Sequence, residues 1–230
     1  MPWIPLESVV CHSITLEYVH TVYQGLSNGM DDATSYKQTK QGIISRQQLL
    51  PLESEGVRRA LDFIQSGNFQ HITPQAILEL HRVAFGPIFD WAGSWRTGPA
   101  TFGNLEGVAF FEITVLIQEY CRDLEERLRH LPPRSETEAY LRELVTLLAW
   151  AQHRFVVIHP FGDYNGRIGR LLTNAILYLL DLPFLELRAE TEEDRKQYIQ
   201  ALRNADQLDF SSLESLMYDA LREALQKHIS

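Results

Sequence analysis

The chain has 230 residues, 45% of them apolar and 22% charged; this is an ordinary composition for a folded globular protein, at a length that fits one domain plus an appendage. With 21 basic residues against 30 acidic ones, the net charge is −9, which argues against broad nucleic-acid binding because that needs a basic footprint to displace phosphate counterions. Two cysteines, Cys11 and Cys121, exclude a disulfide scaffold, and no apolar run reaches the ~18 residues that span a bilayer.

In chain order, a helix is predicted over about residues 8–25 and a polar connecting loop over 25–50, where Gly25, Ser27, Asn28, Gly29, Asp31 and Asp32 cluster. Weaker helical patterns follow over roughly 53–65 and 74–85. The stretch TGPATFGNLEGV, residues 97–108, holds three glycines and a proline and reads as a functional loop or a small hairpin. Ile113, Ile117, Cys121, Leu124, Leu128 and Leu131 then form one apolar stripe at helical spacing, stopped by Pro132 and Pro133. Ser135 with Glu138 reads as a capping box for the next helix, which carries Leu141, Leu144, Leu148 and Phe155 inward. A helix through Leu171, Leu172, Ala175, Ile176 and Leu179 ends before Pro183, and a weaker one covers about 192–205. Ser211 with Glu214 reads as a second box, opening a last helix through Leu213, Met217, Leu221 and Leu225. The expected fold is a mostly α bundle with one short β excursion. It divides into an N-terminal segment (1–50), a core (51–206) and a C-terminal helix (207–230). The first basic residue is Lys37, so no basic leader is expected and the expected location is cytoplasmic.

Residues 155–172, FVVIHPFGDYNGRIGRLL, carry the chemistry. Pro160 and Gly162 break the preceding helix, and a loop bearing His159, Asp163 and Asn165 runs into the N-terminus of the next one. Unpaired N–H groups and a positive dipole make such a terminus an anion site. Arg167 and Arg170, three apart, add two guanidinium forks suited to phosphate. Asp163 is an oxygen ligand suited to Mg²⁺, and His159 is a base that titrates near neutral pH. Taken one at a time, each residue has a plainer reading as a cap, a core anchor (Phe161) or a solvated face; it is their conjunction that points to nucleotide phosphates, a metal and a general base.

HPFGDYNGRIGR, from His159 to Arg170, resembles the signature of the Fic family, H-x-F-x-[D/E]-G-N-G-R-x-x-R. Tyr164 is the one departure, standing where the family has its first Gly. The flanks LHRVAFGPIFDWAGSWRTG (80–98) and DRKQYIQALRNAD (194–206) are similar to the family's leader into a target-binding flap and to its later helix. The resemblance implies a Fic-type helical bundle with a β-hairpin flap. It also implies a protein adenylyltransferase that uses ATP and Mg²⁺ to place AMP on a Ser, Thr or Tyr hydroxyl. His159 would deprotonate that hydroxyl and Asp163 would bind the metal. Asn165, Gly166 and Arg167 would hold the α- and β-phosphates, and Arg170 the γ-phosphate. Residues 97–108 would dock the protein substrate by strand addition. A right-handed backbone at Tyr164 would leave that residue harmless, its ring over the pocket; a left-handed one would strain or alter the site.

Many members of the family carry an inhibitory helix with the pattern [S/T]-x-x-x-E-[G/N]. Ser13-x-x-x-Glu17 fits that spacing, with Tyr18 at the last position, so Glu17 is expected to pair with Arg170 and compete with the γ-phosphate. Tyr198 is expected either at the adenine pocket or in the helical core. His153 reads as a helix-surface residue, and Trp91 and Trp95 as packing. The alternatives are removal of AMP on the same site, transfer of a different group, or a non-catalytic binding module. No nucleic-acid or membrane partner is expected, and a homo-oligomer is compatible with the sequence.

Overall fold

A computed structural model describes residues 36–102, 105–135, 137–187 and 191–229. Strands β1 (Tyr36–Thr39) and β2 (Gly42–Ser45) pair antiparallel through a turn where Gly42 takes φ 96°. Among the described residues seven α-helices follow: α1 (Arg46–Phe63), α2 (Pro74–Phe85), α3 (Ile113–Arg129), α4 (Glu138–Ile158), α5 (Asn165–Leu179), α6 (Glu192–Asp206) and α7 (Ser211–Ile229). A second hairpin, β3 (Thr101–Phe102) with β4 (Leu105–Glu106), lies between α2 and α3. The described chain is therefore mostly α, as expected, with two β excursions rather than one.

The 25–50 loop is corrected in its second half. Tyr36 to Ser45 form a hairpin, and α1 begins at Arg46 rather than near residue 53. The reason is a capping box: the Ser45 hydroxyl accepts from the Gln48 N–H while the Gln48 side chain accepts from the Ser45 N–H. Helix α1 runs on through Pro51 despite the backbone bond lost there. Two other caps also differ. Thr137, not Ser135, caps α4 by accepting from the Tyr140 N–H, and Ser211 sits inside α7 with its N–H and hydroxyl both donating to Asp209.

Helix α4 is the spine, with Leu144, Leu147, Leu148, Ala149, Ala151, Phe155 and Ile158 all buried. It is flanked by α3, α5 and α7, while α1 packs on α2 and on α5. The α4–α5 approach is close: a Cβ at Gly169 would stand 2.7 Å from Gln152 Nε2, so the Gln152 side chain would have to shift to admit one. His153, expected on a surface, is instead mostly buried, and its Nε2 meets the Asp206 carboxylate at 2.7 Å to tie α4 to the end of α6. Among the described residues no helix is long and apolar enough to cross a membrane.

Candidate active site

The bundle brings the end of α4 and the start of α5 together, with five residues, 160–164, between His159 and Asn165. Both ends of this loop are left-handed: His159 at φ 49°, ψ 57° and Tyr164 at φ 65°, ψ 13°. Pro160 stops α4 from continuing. Asn165 then closes the loop on itself, its Oδ1 accepting from the Phe161 N–H and its Nδ2 donating to the Phe161 carbonyl, both at 2.9 Å. Phe161 is the expected core anchor, fully buried and stacked on His81 at 3.8 Å between ring centroids. Buried His81 also accepts the Gly93 N–H at Nδ1, and desolvation pushes its pKa down to about 4. It is thus a neutral packing group beneath the loop.

His159 donates from Nδ1 toward the Val156 carbonyl at 3.2 Å, because a carbonyl can only accept. Its lone pair is therefore on Nε2. Burial, helped by the nearby Arg96 cation and opposed by the Val156 bond, pushes this imidazole down to about 4, so it is neutral at pH 7 and able to take a proton.

Arg96 holds the loop in place. Its side chain donates to the carbonyls of His159, Gly98 and Val108, and its N–H donates to the Pro160 carbonyl. One buried guanidinium thus ties the base's backbone to both feet of the β3–β4 hairpin.

Asp163 turns Oδ1 onto the Tyr164 N–H at 2.7 Å and pairs Oδ2 with Lys37 of β1. The pair is half exposed, at 42% for each side chain. Gly166 lies in the first turn of α5, and among the described residues a Cβ there would meet only Arg170 Nη1, at 4.0 Å. Among the described residues nothing else fills the space beside Gly166 and Arg170, which suits a phosphate.

Tyr164 has the left-handed backbone that favours glycine, so the loop path is the one a glycine would take. The expectation that its ring would lie over the pocket in the other geometry does not apply. The ring is buried, stacked on Phe85 at 4.1 Å and near Phe89 and Trp91. Its hydroxyl donates to Glu53 of α1 at 2.6 Å. A left-handed non-glycine residue costs roughly 1–2 kcal/mol, whereas a hydrogen bond to a charged group alone contributes about 1.5–3 kcal/mol, so the contacts outweigh the strain. Burial and the Glu53 carboxylate push the phenol far up, which keeps it a donor.

Glu53 went unnoticed in the sequence. It lies on the inward stripe Leu49, Glu53, Gly56, Ala60 and is 2% exposed. An acid at an inward helical position was the available signal, hidden because the helix was started too late. Besides Tyr164 it meets Arg46 Nη1 at 2.9 and 2.8 Å and Arg167 Nη1 at 2.9 Å.

The guanidinium of Arg170 lies 5.6 Å from the ring of Tyr198, a buried residue whose hydroxyl accepts from Gln152. The structure thus brings His159, Asp163, Asn165, Gly166, Arg167, Arg170 and Tyr198 into one neighbourhood. Ser13 and Glu17 lie outside the described residues. Among the described residues no group of three or more His, Cys, Asp or Glu could hold a metal. Asp163 alone, at the loop's open face, fits an ion that arrives with phosphates rather than one caged by protein.

Sequence and structure comparisons agree with this geometry. A Fido domain-containing protein of Dictyostelium discoideum is 34% identical over 100 residues, 44% of this chain and 64% of that protein. A protein adenylyltransferase Fic of Nematostella vectensis is 25% identical over 173 residues, 74% of this chain and 38% of that protein. The chain thus matches less than two thirds of the length of these curated relatives. The N-terminal Fic domain of a Bartonella quintana cell filamentation protein, solved with bound ADP, superposes with a TM-score of 0.65 at 18% identity, covering 82% of this chain and 92% of that one. The sequence model of the Fic/DOC family matches residues 71–177, the span that holds α2, the β3–β4 hairpin, α3, α4, the loop and most of α5. Over residues 71–177 this chain is thus similar to the Fic/DOC family.

Proposed function

We propose that this chain is a nucleotidyltransferase that moves AMP from ATP onto a Ser, Thr or Tyr hydroxyl of a protein. The observation that carries the reading is the loop itself: a neutral His159, the open face at Gly166 and two arginines on the first turns of α5, with Tyr164 keeping a glycine-type backbone. Nucleotide-bound Fic domains among the structural relatives and adenylyltransferases among the sequence relatives support it.

In this reading His159 Nε2 takes the hydroxyl proton as the oxygen attacks the α-phosphorus, and pyrophosphate leaves. The α5 N-terminus and Arg167 hold the α- and β-phosphates, and Arg170 holds the γ-phosphate. Asn165, with Oδ1 and one Nδ2 hydrogen committed to Phe161, acts mainly by shaping the loop. Asp163 would hold Mg²⁺, which when bound neutralises phosphate charge; Lys37 would have to give way. The β3–β4 hairpin would take the target by strand addition. Glu17 is proposed as a brake that competes for Arg170, on the strength of the Ser13–Glu17 spacing alone.

Incubation with α-labelled and γ-labelled ATP tests the reading. Label should pass to protein from the α position only, fall away in His159→Ala and rise in Glu17→Gly. Transfer from the γ position would replace AMP transfer by phosphorylation. Transfer from neither, with ATP still bound, would leave the non-catalytic module. Release of AMP from pre-labelled target would favour the reverse activity.

A further inference from the structure

We propose that Glu53 and Tyr164 are a positioning pair that sets Arg167 for the phosphates of a nucleoside polyphosphate. The proposal rests on the nucleotide reading above and names two residues that the motif does not assign this role. Glu53 stands on the inward face of α1, 2% exposed, where helical logic calls for an apolar side chain. A buried carboxylate is tolerated only when donors converge on it, and here three do: Arg46, the Tyr164 hydroxyl and Arg167.

Arg167 is fixed from two directions. Its Nη1 meets Glu53 Oε2 at 2.9 Å, and its guanidinium carbon lies 5.2 Å from the centre of the Tyr164 ring. A long arginine on the first turn of a helix otherwise samples many rotamers. The carboxylate engages one nitrogen while the side chain stays 28% exposed. One carboxylate facing two guanidiniums also leaves one positive charge over. The pair therefore orients Arg167 without cancelling it. Tyrosine is specific to this arrangement: phenylalanine would keep the ring and lose the donor, and the family's glycine would lose both.

The opposite view is that Glu53 competes with phosphate for Arg167. The two views differ in sign. Calorimetric titration of ADP with Mg²⁺ into the full chain and its Glu53→Gln, Tyr164→Phe and Arg167→Ala variants separates them. Positioning predicts that Glu53→Gln and Tyr164→Phe each weaken ADP about threefold to tenfold. It also predicts that neither weakens ADP further when combined with Arg167→Ala, because the effect runs through that arginine. Tighter ADP binding in Glu53→Gln would overturn the proposal in favour of competition. Equal losses with and without Arg167 would overturn it in favour of general loop support. Unchanged affinity in Tyr164→Phe, the variant least disturbing to folding, would remove Tyr164 from the pair. If Arg167→Ala itself binds ADP like the parent chain, the nucleotide reading of this arginine fails, and the positioning role with it.

Discussion

The two arginines of the loop are held in contrasting ways. On the α1 side, Arg167 leans on a buried carboxylate and a phenol. On the α6 side, Arg170 lies near the Tyr198 ring, in a neutral setting of Gln152 and Thr173, and among the described residues no carboxylate pairs with it. A guanidinium with a carboxylate behind it is well oriented but has part of its charge answered. A guanidinium over an aromatic ring keeps its charge for an incoming anion. One side of the loop is thus built for direction and the other for attraction.

The sharpest check on this division is a residue that belongs to neither side. His159→Ala should lower transfer by roughly 10²–10⁴ while ADP affinity stays within about twofold. Labelled-ATP rates and calorimetry measure both. A matching collapse in affinity would mean that the base is part of the phosphate clamp. Next come the arginines themselves. Arg170→Ala should weaken ATP by about 100-fold and Arg167→Ala by about tenfold, the two ends of the range for hydrogen bonds to charged groups. Equal losses would erase the contrast.

Lys37 probes the metal end of the loop. Its pair with Asp163 is half exposed, and such pairs contribute about 0–1 kcal/mol. Lys37→Ala should therefore lower the Mg²⁺ concentration needed for half-maximal ATP binding by no more than about fivefold, as read from Mg²⁺ titrations at fixed ATP. A higher requirement would make Lys37 a phosphate ligand instead.

The smallest effect concerns protons. Burial holds His159 at about 4 against an ordinary 6.5, so the folded state prefers the neutral ring. Its stabilising contribution is complete above the unfolded value and is lost as pH falls from about 6.5 toward 4. NMR titration of the imidazole, assigned with His159→Asn, should show a ring still neutral at pH 6. A midpoint near 6.5 would mean that the ring is solvated.

Much of the bundle was legible because its signals were local and repeated: the α3 stripe from Ile113 to Leu124, the Pro132–Pro133 stop, and a loop in which several weak features coincide within twelve residues. The site's supports were not, because they come from distant chain segments. Glu53 is 111 residues from Tyr164 and sits in a helix whose start, the Ser45–Gln48 box, falls within the stretch that reads as a polar loop. Lys37 belongs to a hairpin of two four-residue strands with Ile43 exposed, too short and mixed to stand out from loop. The backbone at Tyr164 could be posed as a question from the sequence, since glycine was expected there. The answer depended on Phe85, Trp91 and Glu53, which only the fold brings to it.

The central claim, that the His159–Arg170 loop is a nucleotide site on a glycine-type backbone, is tested most directly by following the Gly166 amide in ¹⁵N-labelled full chain during titration with ATP and Mg²⁺. The account predicts a saturable shift of the Gly166 amide and of Arg170 Nε, with far smaller shifts on α7. A Gly166 amide that stays in place while other resonances saturate would put the nucleotide elsewhere and contradict the account.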